Sequence, residues 1–182
     1  MLLAAQSLGW SLFYMEQQDL YQKAGEARAK MRPLQVFHDA QHWFDLDNEL
    51  DQPLSSLNVI LMRKDPPFDN EFIYSTYILE EAERKGTLIV NRCQSLRDCN
   101  EKVFATQFPQ CCPPVLVSAD MQRLKAFHQQ HEDTIYKPLD GMGGSAVFRV
   151  KPDDTNISVI LEMLTKNGCE TIMAQKFIPQ IE

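Results

Sequence analysis

The sequence predicts an α/β protein built of two successive pieces, and three observations carry that prediction. LNVILMRKD (57–65), NEFIYSTYILEEAERKG (70–86) and TLIVN (87–91) read as strand, helix and strand with short links, the pattern of a parallel βαβ unit. TIYKPL (134–139) and AVFRVK (146–151) read as strands flanking a glycine-rich loop, so the second piece holds a hairpin and is α+β in character. Between them, the prolines of FPQCCPP (108–114) break the pattern and put the boundary near residues 99–115. The expected division is 1–99 for a parallel-sheet domain and 100–182 for the second domain.

Each element has a local reason. MLLAAQSLG (1–9) reads as the second half of a helix, with Gly9 placed as a C′ glycine and no N-cap residue ahead of it. WSLFYME (10–16) reads as a buried strand. A helix feeding a strand ordinarily follows an earlier strand in an α/β domain. At the far end, TIMAQKFIPQIE (171–182) reads as a strand running into a proline turn, without a closing element. Both ends read as cuts, as in a piece of a longer protein. LYQKAGEARAKMRPLQVF (20–37) suggests two β arms around Gly25. The apolar run Val59 to Met62 has the mark of a strand buried on both faces, stopped by Pro66 and Pro67, and TLIVN reads likewise. Asp69 is a candidate N-cap, and Gly86 ends that helix. SLRDCNEKVFATQF (95–108) reads as helix up to Pro109, and CCPPVLVS (111–118) as a linker entering a strand. Asp120 caps the expected helix 121–132, and ISVILEMLTKNG (157–168) sets Ile157, Ile160, Leu161 and Leu164 on one helical face. Trp10 and Trp43 read as core or partly buried aromatics.

Composition removes several function classes. Eighteen basic residues face 25 acidic ones, for a formal charge of −7, which argues against a sequence-independent nucleic-acid partner. No apolar run approaches the ~18 residues of a membrane span, and MLLAAQSLGW lacks the basic n-region of a signal peptide. Five cysteines, an odd number, suit a reducing cytoplasm better than a disulfide scaffold.

KPLDGMGG (137–144) is the most informative stretch. The chain has seven glycines, and Gly141, Gly143 and Gly144 crowd three of them into four positions. Because the loop joins two strands, it is neither a Walker A loop nor a dinucleotide fingerprint, both of which open a helix. A glycine-rich hairpin flap can bring backbone N–H groups close to phosphate oxygens. Lys137, four positions before the first glycine, can point beneath it. The alternative is an ordinary glycine turn beside a surface lysine. Lys102 precedes this piece on an expected helix, and AQKFIP (174–179) offers a strand whose backbone can meet an adenine edge, with Ile135 and Ile178 on its faces. Lysine, lysine on a strand, flap and hydrophobic hinge, in that order, are the parts of an ATP-grasp nucleotide site.

MRKDPPFDNEFIYSTYILE, GTLIVN, QSLRDCNEK, KPLDGMGG and MAQKFIP together resemble the bacterial glutathione synthetases, in that order and along almost the whole chain. The resemblance implies an N-terminal parallel-sheet domain followed by the first part of an ATP-grasp domain. It implies an ATP-dependent ligase that joins γ-glutamylcysteine to glycine with Mg²⁺, in the cytoplasm and as a homotetramer. By this resemblance Lys102 and Lys137 are the two phosphate-facing, catalytic lysines. Gly141, Met142, Gly143, Gly144 and Ser145 form the flap, and Gln175, Lys176, Phe177 and Ile178 the adenine hinge. The family begins earlier, with a further strand and loop. It also continues past Glu182 into phosphate-holding arginines and an acidic/asparagine pair for Mg²⁺, so the metal ligands are expected outside these residues and the piece alone is expected to be inactive. Cys93 stands where the family commonly has proline. Two other readings stay open: an ATP-grasp ligase for another amino acid or peptide, and a non-catalytic nucleotide-binding or assembly module.

Arg63, Lys64 and Asp65 end an expected parallel strand, where open α/β sheets bind ligands, and Arg63 can grip a substrate carboxylate bidentately. A solvated charge cluster is the alternative. Cys93/Cys99 and Cys111/Cys112 lack zinc spacing, and the pairs His38/His42 and His128/His131 lack an evident third ligand.

Overall fold

The computed structural model describes residues 1–64 and 67–181, which divide into one unit of residues 1–64 and 70–96 and another of 67–69 and 97–181. In the first unit, α1 (Leu2–Ser7) ends as the sequence suggests: Gly9 takes φ +78° and its N–H donates to the Gln6 carbonyl at 3.0 Å. After β1 (Leu12–Tyr14), strands β2 (Leu20–Lys23) and β3 (Glu26–Val36) form the hairpin expected around Gly25. Ala24 and Gly25 both have positive φ, the conformation that two-residue turns of this twist require. β3 pairs antiparallel with β2 and with β5 (Leu50–Pro53) along its first part, and with β1 and β4 (Phe44–Leu46) along its second. Its period of two turns Ala27, Ala29 and Met31 into the core.

β6 (Val59–Leu61), α2 (Asn70–Arg84) and β7 (Leu88–Val90) make the parallel βαβ unit, in register Val59↔Leu88, Ile60↔Ile89 and Leu61↔Val90. Ile60 and Ile89 pack with Leu79 and Ala82 of α2 and with Met31 and Leu54. The strands are not buried on both faces. Val59, Leu61, Leu88 and Val90 are 38–57% exposed, because only the face toward α2 has a layer packed on it among the described residues. β1 is likewise only partly buried, lying along β3, and Trp10 and Trp43 are 60% and 55% exposed, so neither is a core residue. The expected helix 95–108 is also broken. α3 (Cys93–Asp98) stops before Asn100, and 3₁₀ turns at Phe104–Gln107 and Pro109–Cys111 follow. Asparagine is a poor interior helix residue because its side chain competes for backbone N–H groups, and Asn100 takes those of Lys102 and Val103.

The second unit is helices on one face of an antiparallel sheet. β8 (Val115–Ser118), β9 (Thr134–Pro138), β10 (Phe148–Val150) and β11 (Ile172–Lys176) lie in the order β10-β9-β11-β8. α4 (Met121–His131) starts at Asp120, whose carboxylate accepts from Gln122 and Arg123 N–H at 2.8 and 3.2 Å. α5 (Ile157–Thr165) turns Leu161 and Leu164 inward, against Leu124, Tyr136, Val150, Ile172 and Ala174. Tyr136 is fully buried, and its hydroxyl donates to the Leu124 carbonyl at 3.0 Å, so the apolar core carries no cost from that group. Among the described residues, no helix is long and apolar enough to cross a membrane.

Candidate nucleotide-binding site

Strand alternation aims the first site lysine. Along β9, Thr134 and Tyr136 face the helices and are fully buried, so Ile135 and Lys137 must face the other way. β11 pairs with β9 with Gln175 opposite Ile135, which puts Gln175 diagonal to Lys137 on that same face. Lys137 Nζ donates to Gln175 Oε1 at 2.7 Å. Burial holds the Lys137 ammonium below the usual lysine range, and the charge of Lys102 adds to that depression; Glu101 and Cys112 act the other way.

The second lysine arrives from the broken helix. Lys102 Nζ donates to the Gly141 carbonyl at 2.6 Å, approaches the Leu139 carbonyl at 3.5 Å, and pairs with Glu101 at 2.8 Å. Only 14% of its side chain is exposed. Lys102, Lys137 and the flap residues Gly141, Met142, Gly143, Gly144 and Ser145 line one cavity of about 170 Å³, with Glu101, Pro138 and Val147 completing it. Whole-ligand pockets run to roughly 300–1,000 Å³, so this space suits a polyphosphate end and not an entire nucleotide. Two convergent ammonium groups give it the charge to match.

The flap glycines have different reasons. Gly143 and Gly144 take φ +66° and +77°, and a Cβ on either would meet nothing within 4 Å. They are required for backbone conformation, not for room. At Gly141 a Cβ would lie 3.2 Å from Pro138 Cγ, so space decides there. The flap's root is also fastened from afar: Phe68 N–H donates to the Asp140 carbonyl at 3.3 Å.

The hinge candidates lie at and beyond the end of β11. Lys176 and Phe177 N–H groups donate to the Pro114 and Asp133 carbonyls, both at 2.9 Å, so these two donors are taken up within the fold. Phe177 is buried, with the Arg149 guanidinium 3.5 Å from its ring centroid, while Ile178 is part exposed. Arg149 is fixed in turn by the Asp133 carboxylate, its Nε donating at 3.0 and 3.3 Å and its Nη2 at 2.8 Å. Arg63 and Lys64 are exposed, belong to the first unit and do not line this cavity; Asp65 lies outside the described residues. Sequence reasoning missed Asn100 and Glu101 as neighbours of Lys102. An asparagine two residues before a lysine, inside an expected helix, was the available signal.

Comparison with known proteins bears on the family. The model for the prokaryotic glutathione synthetase N-terminal domain matches residues 1–97, and that for the prokaryotic glutathione synthetase ATP-grasp domain matches residues 101–182. The chain is 67% identical to the glutathione synthetase of Pseudomonas aeruginosa, over all of this chain and 57% of that protein. To that of Photorhabdus laumondii it is 58% identical, over all of this chain and 58% of the relative. The chain thus spans somewhat over half the length of these relatives. Among solved structures, the D-cycloserine synthetase DcsG superposes with a TM-score of 0.53 at 15% identity, covering 69% of this chain and 45% of that one. The ATP-grasp ligase PsnB, complexed with a minimal precursor, gives 0.52 at 13% identity, covering 97% and 57%. At such identities these two neighbours speak for the fold alone, an N-terminal domain followed by the start of an ATP-grasp domain. With the two family models matching residues 1–97 and 101–182 in succession, the chain belongs to the prokaryotic glutathione synthetase family.

Proposed function

We propose that these residues are the phosphate-holding part of an ATP-dependent ligase that joins γ-glutamylcysteine to glycine. The observation that carries the reading is the convergence of Lys102 and Lys137 on one cavity roofed by a glycine flap. A carboxylate resists amines because its oxygen leaves poorly. In the proposed reaction the ATP γ-phosphoryl group passes to the cysteinyl carboxylate, giving an acyl phosphate and ADP. The glycine amine then attacks the carbonyl carbon; the C–N bond forms, the C–O bond to phosphate breaks, and phosphate and a proton leave.

Such chemistry is positioning and charge neutralisation. Lys102 and Lys137 offset phosphate charge, and the flap keeps water from the acyl phosphate. Gln175, Lys176, Phe177 and Ile178 present the adenine hinge, and Arg63, Lys64 and Asp65 are the candidates for the dipeptide's carboxylates. The described residues form no cluster of three His, Cys, Asp or Glu side chains able to hold a metal ion. The Mg²⁺ ligands of the proposed reaction lie, in this reading, outside the described residues. Residues 1–99 and 100–182 are the proposed domains, within a cytoplasmic homotetramer.

The test has two arms. Calorimetry with ATP on the 182-residue chain asks whether the cavity binds nucleotide. A chimera in which this chain replaces the matching segment of the Pseudomonas aeruginosa synthetase asks whether it supports ligation, read as glutathione formed per ADP released. No ATP binding in the first arm and no ligation in the second, from a folded chimera, refutes the reading.

A further inference from the structure

The broken helix gives Asn100 a role that neither lysine can fill alone. Its Oδ1 accepts from both Lys102 N–H and Val103 N–H at 3.1 Å, while its main-chain carbonyl accepts from Phe104 N–H at 2.8 Å. This is the geometry of a helical N-cap, and it fixes the backbone of the turn that carries Lys102. The other end of the same amide faces the flap: Nδ2 donates to the Leu139 carbonyl at 3.2 Å. Leu139 lies just after β9, between Lys137 and the glycines, and its carbonyl is also the one that Lys102 Nζ approaches at 3.5 Å. One side chain therefore ties the Lys102 turn to the root of the flap across 39 residues of sequence.

We propose that Asn100 is a positioning residue, which sets where the Lys102 ammonium stands relative to the flap's backbone amides. The proposal rests on the reading of Lys102 as a phosphate-facing lysine. A lysine side chain has four rotatable bonds and loses much freedom when held at one point, so anchoring its backbone at the flap root narrows the search its ammonium must make. Only an amide of this length does both jobs. Serine caps as well as asparagine does, but it has too short a reach for Leu139. Aspartate accepts but cannot donate, and it would set a negative charge against the Leu139 carbonyl.

Asn100→Ser is thus the informative variant, since it keeps the cap and removes the tie. In the 182-residue chain, amide hydrogen exchange should show Lys102 and Val103 N–H as protected as in the wild type. Exchange at Ser145 and Val147, whose N–H groups donate within the flap to the Met142 and Gly144 carbonyls, should quicken. ATP affinity by calorimetry should fall about tenfold, the scale of one weakened charge-assisted contact. In a Lys102→Ala background the same Asn100→Ser change should cost no further affinity, since its effect passes through that lysine. Wild-type affinity in Asn100→Ser overturns the proposal, as does an undiminished loss in the Lys102→Ala background. If Lys102→Ala binds ATP as the wild type does, the phosphate reading of Lys102 falls and this role for Asn100 falls with it. A tie without that lysine's function would still appear as quickened flap exchange, so the two failures can be told apart.

Discussion

Replacing Lys137 by methionine should separate stability from nucleotide affinity, because its charge bears on the two with opposite sign. Burial, and then the neighbouring Lys102 charge, hold the Lys137 ammonium below the ordinary lysine value of 10.5. Between that depressed value and 10.5 the unfolded chain binds more protons than the folded one, so stability rises with pH across this window. At neutral pH the folded chain therefore carries the cost of the charge, and methionine, similar in length and unbranched, removes it. What the substitution loses in the fold is the 2.7 Å bond to Gln175 Oε1. A hydrogen bond to a charged group contributes about 1.5–3 kcal/mol net when fully buried, but Gln175 is only partly buried, so water can replace the donor and much less than that is lost. The two effects nearly offset, and stability at pH 7 should stay within about 1 kcal/mol of wild type. Affinity has no such offset. A charge-assisted contact to phosphate is worth about 1.5–3 kcal/mol, so ATP binding should weaken about 10–150-fold. Urea unfolding at pH 7 and 9.5, with ATP calorimetry at pH 7, reads all three quantities. The wild type should gain stability at the higher pH relative to the variant. A loss of more than about 2 kcal/mol at pH 7, beyond any single solvent-replaceable hydrogen bond, would refute the reasoning, as would unchanged ATP affinity.

Three further outcomes are expected. His128 is buried, with no hydrogen-bond partner at Nδ1 among the described residues, and burial pushes it below the usual histidine value despite the opposing fields of Asp154 and Asp133 and the Lys151 backbone contact; stability is lost as pH falls through 6.5 toward the lower folded value, and His128→Leu should flatten that loss in urea titrations at pH 7 and 5. Arg149 holds the Asp133 carboxyl below its usual range through a hydrogen bond, so this pair stabilises above 3.8 and is lost as pH falls through the folded value; Arg149→Met should cost about 1 kcal/mol, discounted for roughly one-third exposure of both side chains, and shrink the difference in urea midpoint between pH 6 and pH 3. Gly143→Ala should cost about 1–2 kcal/mol of left-handed backbone strain without any steric contact, seen as faster amide exchange at Ser145 and Val147 and a melting temperature lower by several degrees.

What the sequence made legible was periodicity and punctuation. Gly9, Gly25 and Gly86 each take positive φ at a turn or helix end, and the apolar spacing of 157–164 matched the buried face of α5. What it hid was context. The run Val59 to Met62 looks the same whether one face or two is covered, and only the packing distinguishes Ile60, 4% exposed, from Val59 and Leu61 beside it. β4 and β5 escaped notice because they are only three and four residues long, too short for a period of two to stand out, and take their extended form from pairing with β3. The site divides in the same way. The glycine crowding and the two lysines are local signals, whereas the tie from Asn100 to Leu139 depends on a contact across 39 residues that no window of sequence contains.

The bonds around Lys102 bear on how phosphate would enter this cavity. Its ammonium already meets three oxygens, from Glu101, Leu139 and Gly141, at 2.8, 3.5 and 2.6 Å. An ammonium has three protons to donate, so a phosphate oxygen that takes one must displace an acceptor. The Gly141 carbonyl, the shortest of the three contacts, belongs to the flap itself, and Glu101 is 63% exposed at its side chain, free to swing into solvent. Releasing Glu101 leaves its carboxylate hydrated and removes a repulsive charge from beside the phosphates. Releasing Gly141 frees the flap's root from the lysine. Phosphate binding by Lys102, as proposed, would thus be an exchange of partners that also alters the flap's tether. The bond from Asn100 to Leu139 does not involve the ammonium, so it can persist through the exchange and keep the turn and the flap in register.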